Sequence, residues 1–463
     1  MSTGQVGAYA QATIPAADDD TLRTIAQQSK YDLTLPQAQA TVEGDKEMGA
    51  ALMAYHREEV GDKPDVVCPV EQSVRSYQFN PVTYDPEAKS LQAPFMCPML
   101  GDCFVPDDCL ANEVNAVNER VVKVKPGPMV VTSFMRQCMV EFTNFLVPKE
   151  HTLDPVDFEY LLEKQDRPSQ RRILEVAQGC SAALLRYIQS FVKKESYGDL
   201  KPARLISPVN GVDKAAYALF MYSLVDSVLK PQEWYGFGRG PKAIAQRVAS
   251  VCQRSKQFAI NTDFSKFDGH CSNIFRELER MILLRAFRPE YHATLADLHG
   301  SQYNLKATTP GGVVYHTWFT RASGSPETSA FNSIDNAFVS YLANRMNRPD
   351  GVYMEPQEAW DALGIYGGDD GITPDLDPES FSRAARAVGQ SATVERIVRG
   401  TLGIKFLARV YSPFVWDGDD NTCCDLARQL TKFHVTTRLT GNVTPVLKML
   451  EKCRAFWLTD ENT

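Results

Sequence analysis

Two carboxylates stand side by side in Gly364-Ile365-Tyr366-Gly367-Gly368-Asp369-Asp370-Gly371, after a short apolar run and between glycines. That order fits a tight hairpin holding two acids at a strand end. An acid pointing forward from such a turn can bind a divalent cation, although Asp and Gly also make ordinary solvated turns. Ala259-Ile260-Asn261-Thr262-Asp263 is a strand-like stretch that ends in an acid, and Asp268 follows five residues later. Ile274, Phe275, Leu278 and Ile282 then recur at helical spacing. Asp263 is expected at a strand end, where a metal ligand is held rigidly. Asp268 falls on the turn beyond it, either facing a bound nucleotide or N-capping the helix.

In Ser323-Gly324-Ser325-Pro326-Glu327-Thr328-Ser329-Ala330-Phe331-Asn332-Ser333, a loop precedes a helix whose buried side carries Phe331, Ile334, Phe338 and Tyr341. Thr328 and Asn332 lie four apart and so share a face. On an exposed face the pair can read a hydroxyl and an adjacent base, or act as ordinary N-terminal capping.

Cations that could serve such a site lie upstream. Lys193-Lys194-Glu195 and Lys201-Pro202-Ala203-Arg204-Leu205-Ile206-Ser207 are densely basic, and the second runs into a strand-like segment that would fix Lys201 and Arg204 on a rigid edge. Fixed cations suit a triphosphate better than mobile lysines do. Trp234-Tyr235-Gly236-Phe237-Gly238-Arg239-Gly240-Pro241-Lys242 interleaves aromatics, glycines and cations. Either the rings stack on bases and Arg239 meets phosphate, or a structural turn tucks its aromatics into the core. Glu119 to Pro126 alternates apolar and basic residues as a half-exposed strand would. Ser133 to Leu146 has helical spacing of Phe134, Met135, Met139, Val140 and Phe142. The polar helical stretch with Gln165, Arg167, Gln170, Arg171 and Arg172 is a solvated face or a guide for an RNA backbone.

With 463 residues the chain can hold one multi-lobed domain or two to three smaller ones. An apolar fraction of 44% and a charged fraction of 23% are those of a soluble globular protein. A net charge of −8 argues against a simple nucleic-acid coat, but leaves room for an enzyme that confines positive charge to an internal channel. No apolar run reaches the roughly 18 residues of a membrane span, and residues 1–20, polar and Ala/Asp-rich, lack the pattern of a secretory signal. The 11 cysteines show no disulfide spacing and are expected as reduced thiols. Cys97, Cys103 and Cys109 recur every six residues with Cys68 upstream, yet without a CxxC or a nearby histidine to favour zinc.

Taken together, Lys-Pro-x-Arg, Asp-x4-Asp, Ser-Gly-x3-Thr-x3-Asn and Gly-Asp-Asp resemble, in order, the successive motifs of a viral RNA-dependent RNA polymerase. The strings TDFSKFDGH, SGSPETSAFN, YGGDDG and RQLTKFHVTT resemble those of nodavirus and nodavirus-like replicases of positive-strand RNA viruses. The likeness runs from about residue 110 to the end. It implies an α+β right-hand polymerase of fingers, palm and thumb, with a four-stranded antiparallel palm sheet flanked by helices. Asp263 and Asp369 match the metal-binding acids, with Asp370 as a helper. Two Mg²⁺ ions, or Mn²⁺ in their place, would serve an in-line nucleotidyl transfer. Asp268 and Asn332 match the pair that senses the ribose 2′-hydroxyl, supported by Ser323, Gly324 and Thr328. Lys201 and Arg204, and more weakly Arg239, match triphosphate-holding cations. Lys405 to Tyr411 resembles the hairpin that supports the primer end, through Lys405 and Arg409.

One departure concerns the leaving group. Many such polymerases carry a general-acid Lys after the palm helix; here Gln390 stands in its place, leaving Arg396 and Arg399 as pyrophosphate-side cations that are poor proton donors. The expected divisions are a loop-rich N-terminal extension at 1–110 packing on fingers and thumb, fingers at 111–258, palm at 259–410 with part of 280–322 in the fingers, and a short thumb at 411–463. The chain is expected to be part of a larger replicase acting in the host cytoplasm at membrane-associated sites, with RNA template and product, NTPs and other replicase domains or copies as partners. A reverse transcriptase or a non-catalytic RNA-binding replicase subunit of the same fold are the competing readings.

Overall fold

The structure is a computed structural model that describes residues 74–77, 93–101, 103–107, 109–165, 168–178, 186–346, 353–436 and 444–460. Its organising element is a four-stranded antiparallel sheet. Strand β1 (Phe258–Phe264) lies in the centre, β2 (Ile365–Gly367) and β3 (Asp370–Pro374) form a hairpin on one side, and β4 (Ala392–Val398) forms the other edge, in the order β2-β3-β1-β4. Because successive side chains point to opposite faces, Ile260, Phe264 and Tyr366 enter one core, while Ala259, Ile365, Ile372 and Ile397 enter another. The sheet is therefore covered on both faces.

The first core is built from α1 (Ser133–Leu146), α2 (Gly211–Leu224), α4 (Asn273–Ala286), α6 (Thr328–Arg345) and α7 (Pro378–Ala387). On the opposite face, α3 (Pro241–Arg254) lays Ala245, Val248, Ala249 and Cys252 on the sheet together with Phe406 and Trp416. Phe142 of α1 meets Phe338 and Tyr341 of α6 edge-on at 5.5 and 5.6 Å, a geometry that suits the ring quadrupoles. The helix expected at Ser133–Leu146 forms with those bounds, though Phe134 and Val140 point to solvent.

Helix α6 is buried from Ala330 to Arg345. This corrects the expectation of an exposed face carrying Thr328 and Asn332. Small residues at Ala330, Ser333, Ala337, Ser340 and Ala343 let α6 lie close beneath the β2–β3 hairpin and against α1 and α7. The strand expected from Glu119 to Pro126 is also corrected. Residues Asn118–Val122 continue a helix that begins at Leu110, because Val117 and Val121, four apart, are the positions that enter a core. The apparent period of two was set by lysines that point outward, Lys123 pairing with Glu119 and Lys125 lying 4.7 Å from the Trp318 ring.

Residues 168–178 form the polar helix expected there, and exposed Arg171 donates to the Gln165 carbonyl. Arg167 and Cys68, and most of residues 1–92, lie outside the described residues. Of the described part of the N-terminal extension, Ala93–Pro94 pairs with Val435–Thr436 and Phe104 bridges to Tyr197. That segment thus touches both the basic 190s region and the C-terminal part of the chain.

Candidate active site

The β2–β3 register pairs Gly367 with Asp370, leaving Gly368 and Asp369 as a two-residue loop. Gly368 has φ +68°, which a side chain would resist, while Asp369 is not in the left-handed region. This is the pattern of a type II′ hairpin turn. Helix α6 holds the turn from below. Ser333 Oγ accepts from the Gly368 amide at 2.9 Å, and Asn336 Nδ2 donates to the carbonyls of Gly368 and Asp370 at 3.1 Å each. With its backbone fixed, Asp369 projects into solvent and Asp370 is half-buried.

Strand β1 is hydrogen-bonded beside β3, with Gly371 opposite Thr262, so Asp263 reaches the same end of the sheet. The three acids share an electrostatic field. Burial, then the charges of Asp369 and Asp263, push the Asp370 carboxyl up to about 6. Partial loss of hydration, then Asp369, also raises Asp263, opposed by Arg204 and Arg428. Neighbouring carboxylates of like charge form a hard-oxygen donor set whose repulsion a divalent cation would relieve, so the residues fit such a group. Among the described residues, three potential ligand atoms do converge within 4.8 Å elsewhere, at Glu279, His299 and Glu327. Arg276 and Arg321 already bind those glutamates, which disfavours a cation there.

Asp268 lies beyond β1 on the 3-10 turn Phe267–His270. It is not a helix cap; Ser272 caps α4. Asn332 Nδ2 donates to Asp268 Oδ1 at 2.9 Å, so these two residues do meet as expected. Ser323, Gly324 and Thr328 are placed differently. Ser323 Oγ donates to the Leu205 carbonyl at 3.1 Å and accepts from the Ser207 amide at 3.2 Å, while Gly324 packs on the Pro208 backbone. The Thr328 hydroxyl is directed at the Ala322 and Ser325 carbonyls, both at 3.1 Å. All three build the loop that braces the 205–208 segment and enters α6.

That segment begins at the expected cations. Arg204 lies 3.5 Å from Glu195 and Lys201 lies 5.1 Å from the Tyr197 ring, both side chains reaching solvent. The other cations are corrected. Arg239 donates to the Lys230 carbonyl in a turn whose Trp234 and Tyr235 are core residues, so the structural reading of that stretch holds. Arg399 donates to the Cys252, Ser255 and Trp416 carbonyls, at the far end of β1 from Asp263. Arg396 sits opposite Ile260, with its guanidinium 4.1 Å from the Phe258 ring, about 10 Å along the strand from Asp263 by strand rise. Gln390 is buried and donates to the Phe267 carbonyl.

The expected hairpin forms from β5 (Lys405–Phe406) and β6 (Arg409–Tyr411), followed by β7 (Thr422–Cys424) and α8 (Leu426–Phe433). Lys405 is exposed, whereas Arg409 is committed to Asp460 at 2.7 Å and the Thr422 carbonyl at 2.9 Å. The turn residues Leu407 and Ala408 have φ 48° and 61°, positions ordinarily given to Asn and Gly. The Leu407 amide opposes, by hydrogen bonding, the larger rise that burial, Asp369 and Asp263 impose on Asp370, and its side chain packs beside Gly367. Ala408→Gly is expected to stabilise the protein by about 1 kcal/mol, the cost of a left-handed non-glycine residue; a denaturation midpoint at or below that of the wild type would refute this.

Sequence reasoning missed three contributors. Ser333 and Asn336 act only through tertiary contact with the turn. Arg428 of α8 acts electrostatically on Asp263 and Asp370, and its only signal was its place in RQLTKFHVTT. Thr431 of the same helix accepts from Cys103 Sγ at 2.8 Å and packs by Gly198, which sets α8 against the basic 195–204 loop.

Residues 237–422 match the family model described as viral RNA-dependent RNA polymerase. The RNA-directed RNA polymerase of Greasy grouper nervous necrosis virus is 29% identical over 479 aligned positions, covering 100% of this chain and 47% of that protein. That of Flock house virus is 26% identical, covering 95% and 44%. The chain thus spans about half the length of these relatives. Among solved structures, an insertion loop deletion mutant of the RNA-dependent RNA polymerase of a human picorbirnavirus shares the fold with a TM-score of 0.55 at 13% identity, over 73% of this chain and 71% of that one. In its ordered motifs, its fold and its sequence along the whole length, the chain is similar to viral RNA-dependent RNA polymerases, those of nodaviruses among them.

Proposed function

We propose that this chain performs template-directed RNA synthesis, joining nucleoside triphosphates to an RNA 3′-hydroxyl for viral genome replication. The observation that carries the reading is the gathering of Asp263, Asp369 and Asp370 at one end of the sheet, beside the hydrogen-bonded Asp268 and Asn332. In this reading β1 to β4 are the palm, the basic 195–204 region belongs to the fingers, and the segment after residue 411 is the thumb. Asp263 and Asp369, with Asp370 alongside, would hold divalent ions, Mg²⁺ by its preference for hard oxygens or Mn²⁺ in its place, whose chemistry is to activate the 3′-hydroxyl and stabilise the leaving pyrophosphate.

The remaining work belongs to the chain's own side chains. Lys201 and Arg204 attract the triphosphate, and Arg428 adds positive charge near the acids. Asn332 Oδ1 is buried without a hydrogen-bond partner, an acceptor that a ribose 2′-hydroxyl satisfies. Asp268 fixes that amide by accepting from Nδ2. RNA template and product are the macromolecular partners, and recruitment to cytoplasmic membranes falls to other replicase domains or copies. Among the described residues no helix is long and apolar enough to cross a membrane.

Extension of a short RNA, with and without primer, in the presence of Mg²⁺ tests the reading. Preference for dNTPs or no synthesis would overturn it. Asn332→Ala is expected to lower the rNTP-over-dNTP preference by about 10-fold, the worth of one well-made buried hydrogen bond. Unchanged selectivity in single-nucleotide incorporation would remove Asn332 from the role.

A further inference from the structure

Behind the Asp268 and Asn332 pair lies a cluster of charges with no access to water. Arg321, just before the Ser323–Glu327 loop, has a side chain that is 0% exposed. Its Nη2 donates to Glu279 Oε1 of α4 and to Asp335 Oδ2 of α6, both at 2.6 Å, and its Nη1 to Glu327 Oε1 at 3.1 Å. Arg276 donates to the same glutamates at 2.9 and 2.7 Å. His299, on α5 (His292–Gly300), meets Glu279 at 2.8 Å, and Tyr217 donates to Glu327 at 3.0 Å. Burying this many charges is a poor way to gain stability, since desolvation offsets most of the attraction. Specificity of arrangement is what such a network can supply.

The arrangement closes a ring around the ribose-reading pair. The Arg321 backbone amide donates to the Asp268 carbonyl at 2.9 Å. The Asp268 carboxylate accepts from Asn332. Asn332 and Asp335 lie three apart on α6, hence on one face, and Asp335 accepts from the Arg321 side chain. One residue thus touches the turn that carries Asp268 through its main chain and the helix that carries Asn332 through its side chain. Two guanidinium groups here face three carboxyls. Burial and then Glu279 hold the Asp335 carboxyl well above the usual carboxylate range.

We infer that Arg321, through Asp335, is a positioning residue for ribose recognition: it sets the distance between Asp268 and Asn332 and so the preference for ribonucleotides. The inference rests on the polymerase reading above. Its chemistry asks only for an acceptor oxygen at position 335, so Asp335→Asn should behave as the wild type and Asp335→Ala should not. Arg321→Lys keeps the charge but loses the planar fork that spans Glu279, Glu327 and Asp335.

The test is single-nucleotide incorporation by the full 463-residue chain, with rNTP and dNTP kinetics and a melting curve for each variant. In Asp335→Ala and Arg321→Lys the rNTP-to-dNTP ratio of kcat/KM should fall by about 5- to 10-fold, mainly through a higher KM for rNTP, a range usual for residues acting through others. Asp335→Asn should stay within about twofold of the wild type by the same measure. Glu279→Gln, which weakens the cluster outside the ring, should lower the melting temperature and keep the ratio. A ratio unchanged in both Asp335→Ala and Arg321→Lys, or reduced equally by Glu279→Gln, would overturn the inference and leave a merely structural cluster. Should Asp335→Ala fail to fold, Arg321→Lys against Asp335→Asn decides it alone. A wild type that incorporates no rNTP sinks the polymerase reading itself.

Discussion

Asp369→Ala is expected to abolish nucleotide incorporation, a loss of more than about 100-fold, since removing even the outer supports of a metal site costs 10- to 100-fold. Asp369 is exposed and stands on a turn whose backbone is pinned by Ser333 and Asn336. Among the described residues its carboxylate makes no hydrogen bond or ion pair that holds the fold together, so the loss should be confined to chemistry. Its charge raises both Asp263 and Asp370, and replacing it relieves that repulsion. The variant should be at least as stable as the wild type, as is common where function has been set against stability. RNA binding, in which the proposed reading gives this carboxylate no part, should largely survive. Incorporation near the wild-type rate would remove Asp369 as a ligand; a large drop in melting temperature would reassign it to the fold.

The acids were legible in the sequence because each sits where a short-range signal ends. Asp263 follows a strand, and Asp369 and Asp370 fall in a glycine-flanked turn; both signals depend on residues within a few positions. The meeting of Asp268 and Asn332 was legible only through the order of motifs, since 64 positions separate them. What could not be read was set by tertiary contact. Nothing local distinguishes Arg204, which reaches solvent near Asp263, from Arg399, whose guanidinium is consumed by carbonyls at the end of α3. The same limit applies to Thr328, whose helical spacing from Asn332 was right while its hydroxyl served the preceding loop. The run from Glu119 to Pro126 failed for another reason: alternation over so few residues also fits a helix with one apolar stripe. The Arg321 cluster left no trace, because buried charges have no period and are expected at the surface.

The largest effect on stability is expected at Gly364, the first residue of the stretch that carries the acids. A Cβ at Gly364 would stand 1.7 Å from the Ile372 carbonyl oxygen and 2.8 Å from Thr373 Cα. These are backbone atoms of β3, so no side chain can turn aside to make room. Relief requires β2 and β3 to separate where Ile365 pairs with Ile372, both wholly buried. Gly364→Ala should therefore cost about 3 kcal/mol or more, at or beyond the upper end for overpacking, out of a total near 5–15 kcal/mol for a folded domain. The hairpin that carries Asp369 would shift with it, so activity should fall with stability, unlike Asp369→Ala. The control is Gly300→Ala at the end of α5, where an added Cβ meets nothing within 4 Å; there the same change should stabilise by about 0.4–1 kcal/mol through the unfolded chain. Denaturant unfolding of the two variants should move the midpoint in opposite directions. A Gly364→Ala midpoint at or above the wild type would mean that the β2–β3 hairpin is not packed as closely as the structure has it.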